Sequence, residues 1–186
     1  APASNGGSAI TDYVVESSPD STTWTVFADG SSTSACATVT GLTNGQAYTF
    51  RVSATNVAGT GATSVVSGSV TPRTVPGAPT SVGGTAGNTQ VSLTWTAPVS
   101  NGGSAITDYV VEFNDGVSWA TFADGASTAT SATVTVLTNG TAYTFRVSAT
   151  NVAGTGATSV VSSAVTPRTV PGAPTSVGGT AGNTQV

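Results

Sequence analysis

The chain states one pattern twice, and both of its ends fall inside that pattern. Pro72–Val91 (PRTVPGAPTSVGGTAGNTQV) recurs unchanged at Pro167–Val186, an offset of 95 residues (72 to 167). Asn5–Glu16 (NGGSAITDYVVE) recurs at Asn101–Glu112, an offset of 96 (5 to 101), and Ala47–Ser67 recurs at Ala142–Ser162. A period this long is a whole domain, not one turn of a solenoid. In the interior, Val91 runs on into SLTWT and then APVSNGG, whereas the N-terminus opens on APASNGG and the sequence closes at Val186. Domain boundaries usually fall in exposed linkers. The phase therefore leads us to expect a two-period window on a longer periodic polypeptide, cut within a strand.

Composition narrows the function classes. Only 6% of residues are charged, where roughly 25% is usual. Lys, His and Met are absent, and the cations are Arg51, Arg73, Arg146 and Arg168. A net charge of −4 offers no basic patch to nucleic acid or to an anionic membrane. Apolar runs of two or three residues are too short for a membrane-spanning helix. Weak charge repulsion favours association between copies, and a surface of Thr, Ser, Asn and Gly suits either a structural assembly or a neutral secreted linker.

Catalysis is not expected. General acid–base chemistry needs a positioned titratable group, and neither His nor Lys is present. Asp12, Asp20, Asp29, Asp108, Asp115 and Asp124 read as turn or strand-edge residues, and Glu16 and Glu112 point outward on a strand. A Ser or Thr nucleophile would lack a base. The sequence carries no metal-ligand cluster and no calcium loop, so no catalytic residue, metal or cofactor is expected. The lone Cys36 has Ser131 as its counterpart; it reads either as a drifted small residue or as an intermolecular crosslink. Asn139-Gly140-Thr141 matches a glycosylation sequon, but its counterpart Asn44-Gly45-Gln46 does not. Arg51 and Arg146 are placed to pair with Glu16 and Glu112. Trp24 and Trp119 either pack on the domain or offer a sugar-stacking platform.

Short alternating runs rich in Val, Thr, Tyr and Phe, separated by Gly, Pro, Asn and Asp, predict an all-β sandwich or barrel. In the complete copy the expected strands are Thr80–Thr85, Gln90–Thr96, Ile106–Phe113, Trp119–Ala123, Ala132–Val136, Ala142–Asn151 and Thr158–Val165. Gly154-Thr155-Gly156 is expected to bend the chain into the last of these.

Leu93 and Trp95 (L-x-W), Tyr109 and Val111 (Y-x-V), the corner from Leu137 to Tyr143, the run Tyr143–Gly154 (YTFRVSATNVAG) and Val165-Thr166 together resemble the fibronectin type III family in its bacterial form. The resemblance implies tandem immunoglobulin-like, seven-stranded β-sandwiches without a disulfide, here in permuted phase. It also implies tyrosine corners at Tyr48 and Tyr143. Leu93, Trp95, Tyr109, Val111, Tyr143, Phe145 and Val147 are the expected core of the complete copy, with Tyr13, Tyr48 and Phe50 in the first.

The expected division is an incomplete unit over 1–73 that holds the third to seventh strands, a complete unit over 74–168, and, over 169–186, the first strand and the start of the second of a following unit. Without its Val, Leu and Trp the first unit forgoes about 5–9 kcal/mol, at about 1.5–3 kcal/mol for each side chain. Whole domains are stable by only about 5–15 kcal/mol, so the first unit is not expected to fold alone. Copies are expected to stack head to tail, with Pro171, Pro174, Val177, Val186 and Cys36 as candidate contacts between them.

The leading expectation is a non-catalytic extracellular stalk or filament on a bacterial surface. Its partners would be other copies of itself, with surface glycans as a further candidate. The alternative is a spacer, adhesion or carbohydrate-binding module of a larger secreted enzyme or surface adhesin.

Overall fold

Strict polar–apolar alternation sorts the faces of each strand. In VSLTWT the odd positions Val91, Leu93 and Trp95 are 0%, 1% and 6% exposed, while the Ser and Thr between them face water. The computed structural model describes residues 1–183, so Val186 lies outside the described residues.

The first unit holds β1 (Asp12–Ser18), β2 (Thr25–Phe27), β3 (Thr49–Asn56) and β4 (Gly59–Thr60). The second holds β5 (Thr80–Ala86), β6 (Val91–Thr96), β7 (Asp108–Asn114), β8 (Trp119–Phe122), β9 (Ser131–Val134), β10 (Thr144–Asn151) and β11 (Gly154–Thr158). The second unit is a sandwich of two antiparallel sheets, ordered β5-β6-β9 and β11-β10-β7-β8. Between them Val91, Leu93, Trp95, Tyr109, Val111, Val134, Phe145 and Val147 form one cluster. The Trp95 and Tyr109 rings meet edge to face at 5.4 Å, a favoured aromatic geometry. Burial pushes the Tyr109 hydroxyl pKa up. Among the described residues, the indole N–H of Trp95 is the buried side-chain polar group without a partner.

The first unit has a single sheet, ordered β2-β1-β3-β4. Its sequence equals that of the second unit over most of β3 and β1, yet its inner face is half-open. Tyr13, Phe50 and Val52 are half-buried, whereas Tyr109, Phe145 and Val147 are buried. The fifth-strand segment expected here, around Ala37–Val39, is irregular. Its counterpart β9 is held by β6 through Val91↔Val134 and Leu93↔Ala132, and the first unit has no strand in that position to pair with. A strand whose ladder partner is missing gains too little to stay extended.

Two further expectations are corrected. The strand expected over Ala132–Val136 stops at Val134, because Val136 adopts φ 61° and is 93% exposed. A β-branched residue in the left-handed region leaves the strand. The last strand runs over Gly154–Thr158 instead of Thr158–Val165. The Asn151 side chain accepts the Ala153 N–H at 2.8 Å and sets a two-residue turn at Val152-Ala153, so pairing resumes at Gly154. Beyond Thr158 the chain still follows β10, with serine hydroxyls entering the ladder. Ser159 Oγ accepts from Val147 N at 3.1 Å and Ser162 Oγ accepts from Phe145 N at 3.0 Å. A single bridge, Tyr143↔Val165, closes the edge.

Candidate interaction surfaces

The corner between the sheets is built by a tyrosine in each unit. Tyr143 is 6% exposed, and its hydroxyl oxygen accepts the Thr138 N–H at 3.1 Å. Tyr48 makes the same bond from Thr43 at 3.2 Å, but is half-buried. Both sit five residues after the donor, because the hydroxyl must reach back over the turn.

On the outer face of the β7–β10 sheet, cross-strand register places Glu112 opposite Arg146. Nε and Nη2 of Arg146 donate to the two carboxylate oxygens at 2.8 and 2.9 Å, and the guanidinium lies 4.2 Å from the centre of the Trp119 ring. The first unit repeats the arrangement with Glu16, Arg51 and Trp24, at 2.8, 3.0 and 4.2 Å. Each Trp thus packs on an arginine of its own sheet in a cation–π stack. Hydrogen bonding to Arg51 holds the Glu16 carboxyl below its ordinary range, and pairing raises both arginines.

The loop after β1 differs between copies. Asp20 Oδ1 accepts from Thr23 N at 2.7 Å, Thr22 N at 2.8 Å and the Ser18 hydroxyl at 2.9 Å. Those donors, the Thr23 and Thr22 amides first, hold its carboxyl well below the usual carboxylate range. The second unit turns here with Gly116 at φ 98°.

Two further surfaces stand out, and the sequence reading singled out only the second of them. One is the joint between units. Asn151 Nδ2 donates to Thr74 O and Asn101 O, both at 2.8 Å, and Thr74 N donates to Gly102 O at 2.8 Å. Gly77 N donates to Ser100 O at 2.9 Å, and Gly45 N donates to Pro72 O at 2.9 Å. The linker Thr74-Val75-Pro76 is thereby seated in a groove of the second unit, where Pro76 and Pro79 are buried. A Cβ on Gly156 would lie 2.0 Å from Pro76 O, and one on Gly102 2.1 Å from Thr74 O. The signal for this was in the repeat: Asn5-Gly6, Asn56 and Gly61 reproduce Asn101-Gly102, Asn151 and Gly156.

The other surface is the open face of the first unit. A groove of about 760 Å³ is lined by Gly6, Asn56, Gly59 and Gly61, among others. A second hollow, of about 610 Å³, is lined by Tyr13, Val15, Phe50, Val52, Leu42 and Cys36. Cys36 is exposed, and its sulfur lies 3.3 Å from Ser34 Oγ. Pro171, Pro174 and Val177 are exposed. Asn139, in the sequon, spends its side chain on its own unit: Nδ2 donates to Asn88 Oδ1 at 2.7 Å and Oδ1 accepts from Thr89 N at 2.9 Å. No group of His, Cys, Asp and Glu among the described residues is placed to hold a metal ion, and no helix is long and apolar enough to cross a membrane.

The fibronectin type III domain model matches residues 1–69 and 77–165. The chain belongs to the fibronectin type III family. Its relatives include endoglucanase B of Cellulomonas fimi, 38% identical over 179 residues, which cover 90% of this chain and 16% of the relative. Chitinase A1 of Niallia circulans is 37% identical over 147 residues, covering 74% of this chain and 19% of the relative. The chain thus spans less than a fifth of either curated relative. Among solved structures, domains of titin align with a TM-score of 0.54 and 26% identity, covering 83% of this chain and 54% of that one. The two fibronectin type III units are all-β.

Proposed function

We propose that this chain is a non-catalytic spacer: tandem fibronectin type III units that set the separation between other modules of a secreted, polysaccharide-degrading bacterial protein. The observation that carries the reading is the seated linker at the joint. Hydrogen bonds from Asn151, Thr74, Gly77 and Gly45, together with glycines that leave no room for a side chain, define how one unit follows the next. A joint of this kind transmits length, which is what a spacer contributes.

The relatives support the setting. An endoglucanase and a chitinase match over most of this chain but over a small part of themselves. That relation favours a module within a larger protein over the stand-alone filament that the periodicity suggested first. Secretion follows from the work, since such polymers lie outside the cell. A low-charge surface of hydroxyl residues suits a segment that works beside insoluble polymer without adhering by charge.

The test is a chimaera. The chain is placed between a cellulose-hydrolysing domain and a cellulose-binding module, and residues 77–165 alone are placed there in a second version. Shortening from two units to one is expected to change hydrolysis of insoluble cellulose and leave hydrolysis of a soluble substrate unchanged. Equal rates on insoluble cellulose would refute the spacer role. Hydrolysis of cellulose or chitin by the isolated chain would refute the non-catalytic one.

A further inference from the structure

On the outer face of the second unit, cross-strand register sets two rows of side chains. Trp119, Asn114 and Thr144 form one row, and Thr121, Glu112 and Arg146 form the next. The rows lie two residues apart on each strand, about 7 Å, and the three strands span about 10 Å. β8 is the edge strand of this sheet, so no strand lies beyond Trp119. The indole is half-buried, with Arg146 stacked 4.2 Å from its ring centre, while Ser118, Ala120 and Thr121 beside it are exposed.

Charge on this face is balanced. Both carboxylate oxygens of Glu112 accept from Arg146, so a charged polymer gains little by approaching. Neutral donors stand around the ring. The hydroxyls of Thr121 and Thr144 and the Nδ2 of Asn114 make no hydrogen bond among the described residues, while Asn114 Oδ1 accepts from Gly116 N at 2.6 Å. The first unit keeps the Trp–Arg stack and lacks these donors. Val26, 57% exposed, pairs with Glu16 where Thr121 pairs with Glu112. Thr49, the counterpart of Thr144, spends its hydroxyl on Ser21 Oγ at 3.1 Å and Ser18 O at 3.4 Å.

A planar indole fixed at a sheet edge and flanked by uncharged donors fits one class of ligand. A pyranose with equatorial substituents presents axial C–H groups on its faces and hydroxyls around its rim. The C–H groups rest on the aromatic ring, and the hydroxyls meet the amide and hydroxyl groups beside it. β-Linked chains of such sugars are extended and repeat this face, whereas α-linked chains coil.

We propose that Trp119, with Asn114, Thr121 and Thr144 around it, is a stacking site for a neutral β-linked polysaccharide. The cation–π contact with Arg146 holds the ring in place, so little rotamer freedom is lost on binding. One ring and a few exposed hydrogen bonds make a weak contact, which lets the chain lie along a polymer without being trapped on it. The site rests on the spacer reading for the presence of such a polymer. Binding is measured on this chain alone and spacing in the chimaera, so either can fail without the other.

Nitrogen-15 spectra of the full chain, titrated with cellohexaose, chitohexaose and α-linked maltohexaose, test the proposal. Saturable shifts of the Trp119 indole N–H and the Asn114 side-chain amide are expected with at least one β-linked sugar. Smaller shifts are expected at Trp24, and none with maltohexaose. A response to cellohexaose alone marks a glucan, and one to chitohexaose alone marks its N-acetylated analogue. Trp119→Ala is expected to abolish the Asn114 shift, with circular dichroism showing that the β content is kept. Thr121→Val and Thr144→Val leave the ring stack in place, and each is expected to weaken binding by about fivefold, the worth of one neutral hydrogen bond. The absence of a saturable shift at Trp119 with both β-linked sugars would overturn the proposal. So would an equal response to maltohexaose, an equal shift at Trp24, or binding that none of the three substitutions alters.

Discussion

Gly103 faces Gly45 across the joint so closely that a Cβ on Gly103 would lie 2.2 Å from the Gly45 amide nitrogen. Backbone meets backbone at this point, so neither side can yield by a rotamer change. The first prediction is that Gly103→Ala frees the two units from each other. Gly7→Ala is the control. It stands at the matching position with a similar φ, 86° against 83°, but has nothing within 4 Å of the added carbon. Both variants strain a left-handed residue, by about 1 kcal/mol. Separate rotational correlation times for the two units, from nitrogen-15 relaxation, are expected to diverge in Gly103→Ala only.

Phe145 and Phe50 occupy the same place in the repeat and differ in what covers them. Phe145 is 0% exposed, while Phe50 is half-buried. Phe145→Ala is expected to destabilise the second unit by about 3–5 kcal/mol. Phe50→Ala should change stability by less than about half of that, because much of its surface is already wet. Denaturant unfolding followed by the tryptophans of each unit measures both. Equal losses would mean that the two faces are equally covered.

The exposed face of the first unit should accept the strands that cover its twin. Joining the sequence of Pro76–Thr96 ahead of Ala1 recreates the Thr-Ala-Pro passage found at Thr96-Ala97-Pro98. The added Val, Leu and Trp are each worth about 1.5–3 kcal/mol when buried. In the extended chain the first unit is expected to unfold at higher denaturant, and the loss on Phe50→Ala to rise toward that of Phe145→Ala. Conversely, residues 1–71 alone are expected to show no cooperative unfolding.

Val136 is predicted to be a destabilised position. It holds φ 61° in the open, and the first copy has Gly41 at φ 76° in its place. Val136→Gly is expected to stabilise the second unit by about 1 kcal/mol, since relief of a left-handed β-branched residue outweighs the added freedom of the unfolded chain. Thermal unfolding of the variant checks the sign.

Acid should weaken the loop held by Asp20. Its folded pKa is depressed by the Thr23 and Thr22 amides and the Ser18 hydroxyl. The stabilisation is therefore present above the ordinary carboxylate range and is lost as pH falls through the depressed folded value. Glu16, lowered by Arg51, behaves in the same sense. Carbon-13 titration is expected to find the Asp20 carboxyl ionising at lower pH than it does in an unfolded peptide. Asp20→Asn is expected to remove that part of the acid sensitivity of the first unit.

Much of the fold was legible in the residues. The period-two pattern of Val91, Leu93 and Trp95, and of Phe145 and Val147, marked core positions, because alternation is a local property of an extended chain. The cross-strand partners Glu112 and Arg146 followed from the same register. The ends of β9 and β11 were less legible. Val136 carries no local mark of a left-handed backbone apart from its glycine counterpart. Ser159 and Ser162 read as ordinary strand residues until their hydroxyls are seen accepting from β10. The joint escaped attention because Asn151 and Gly156 are common turn residues, and their role depends on a linker about 80 positions earlier in the sequence.

By itself the sequence determined the class of fold, the inward and outward face of each strand and the tandem period. These follow from spacing and residue chemistry, which are local. Only the tertiary structure decided which copy of the same strand is buried, where a strand stops, and which groove is already filled. Burial and seating are set by what lies across from a residue, and identical neighbours in sequence met different neighbours in space.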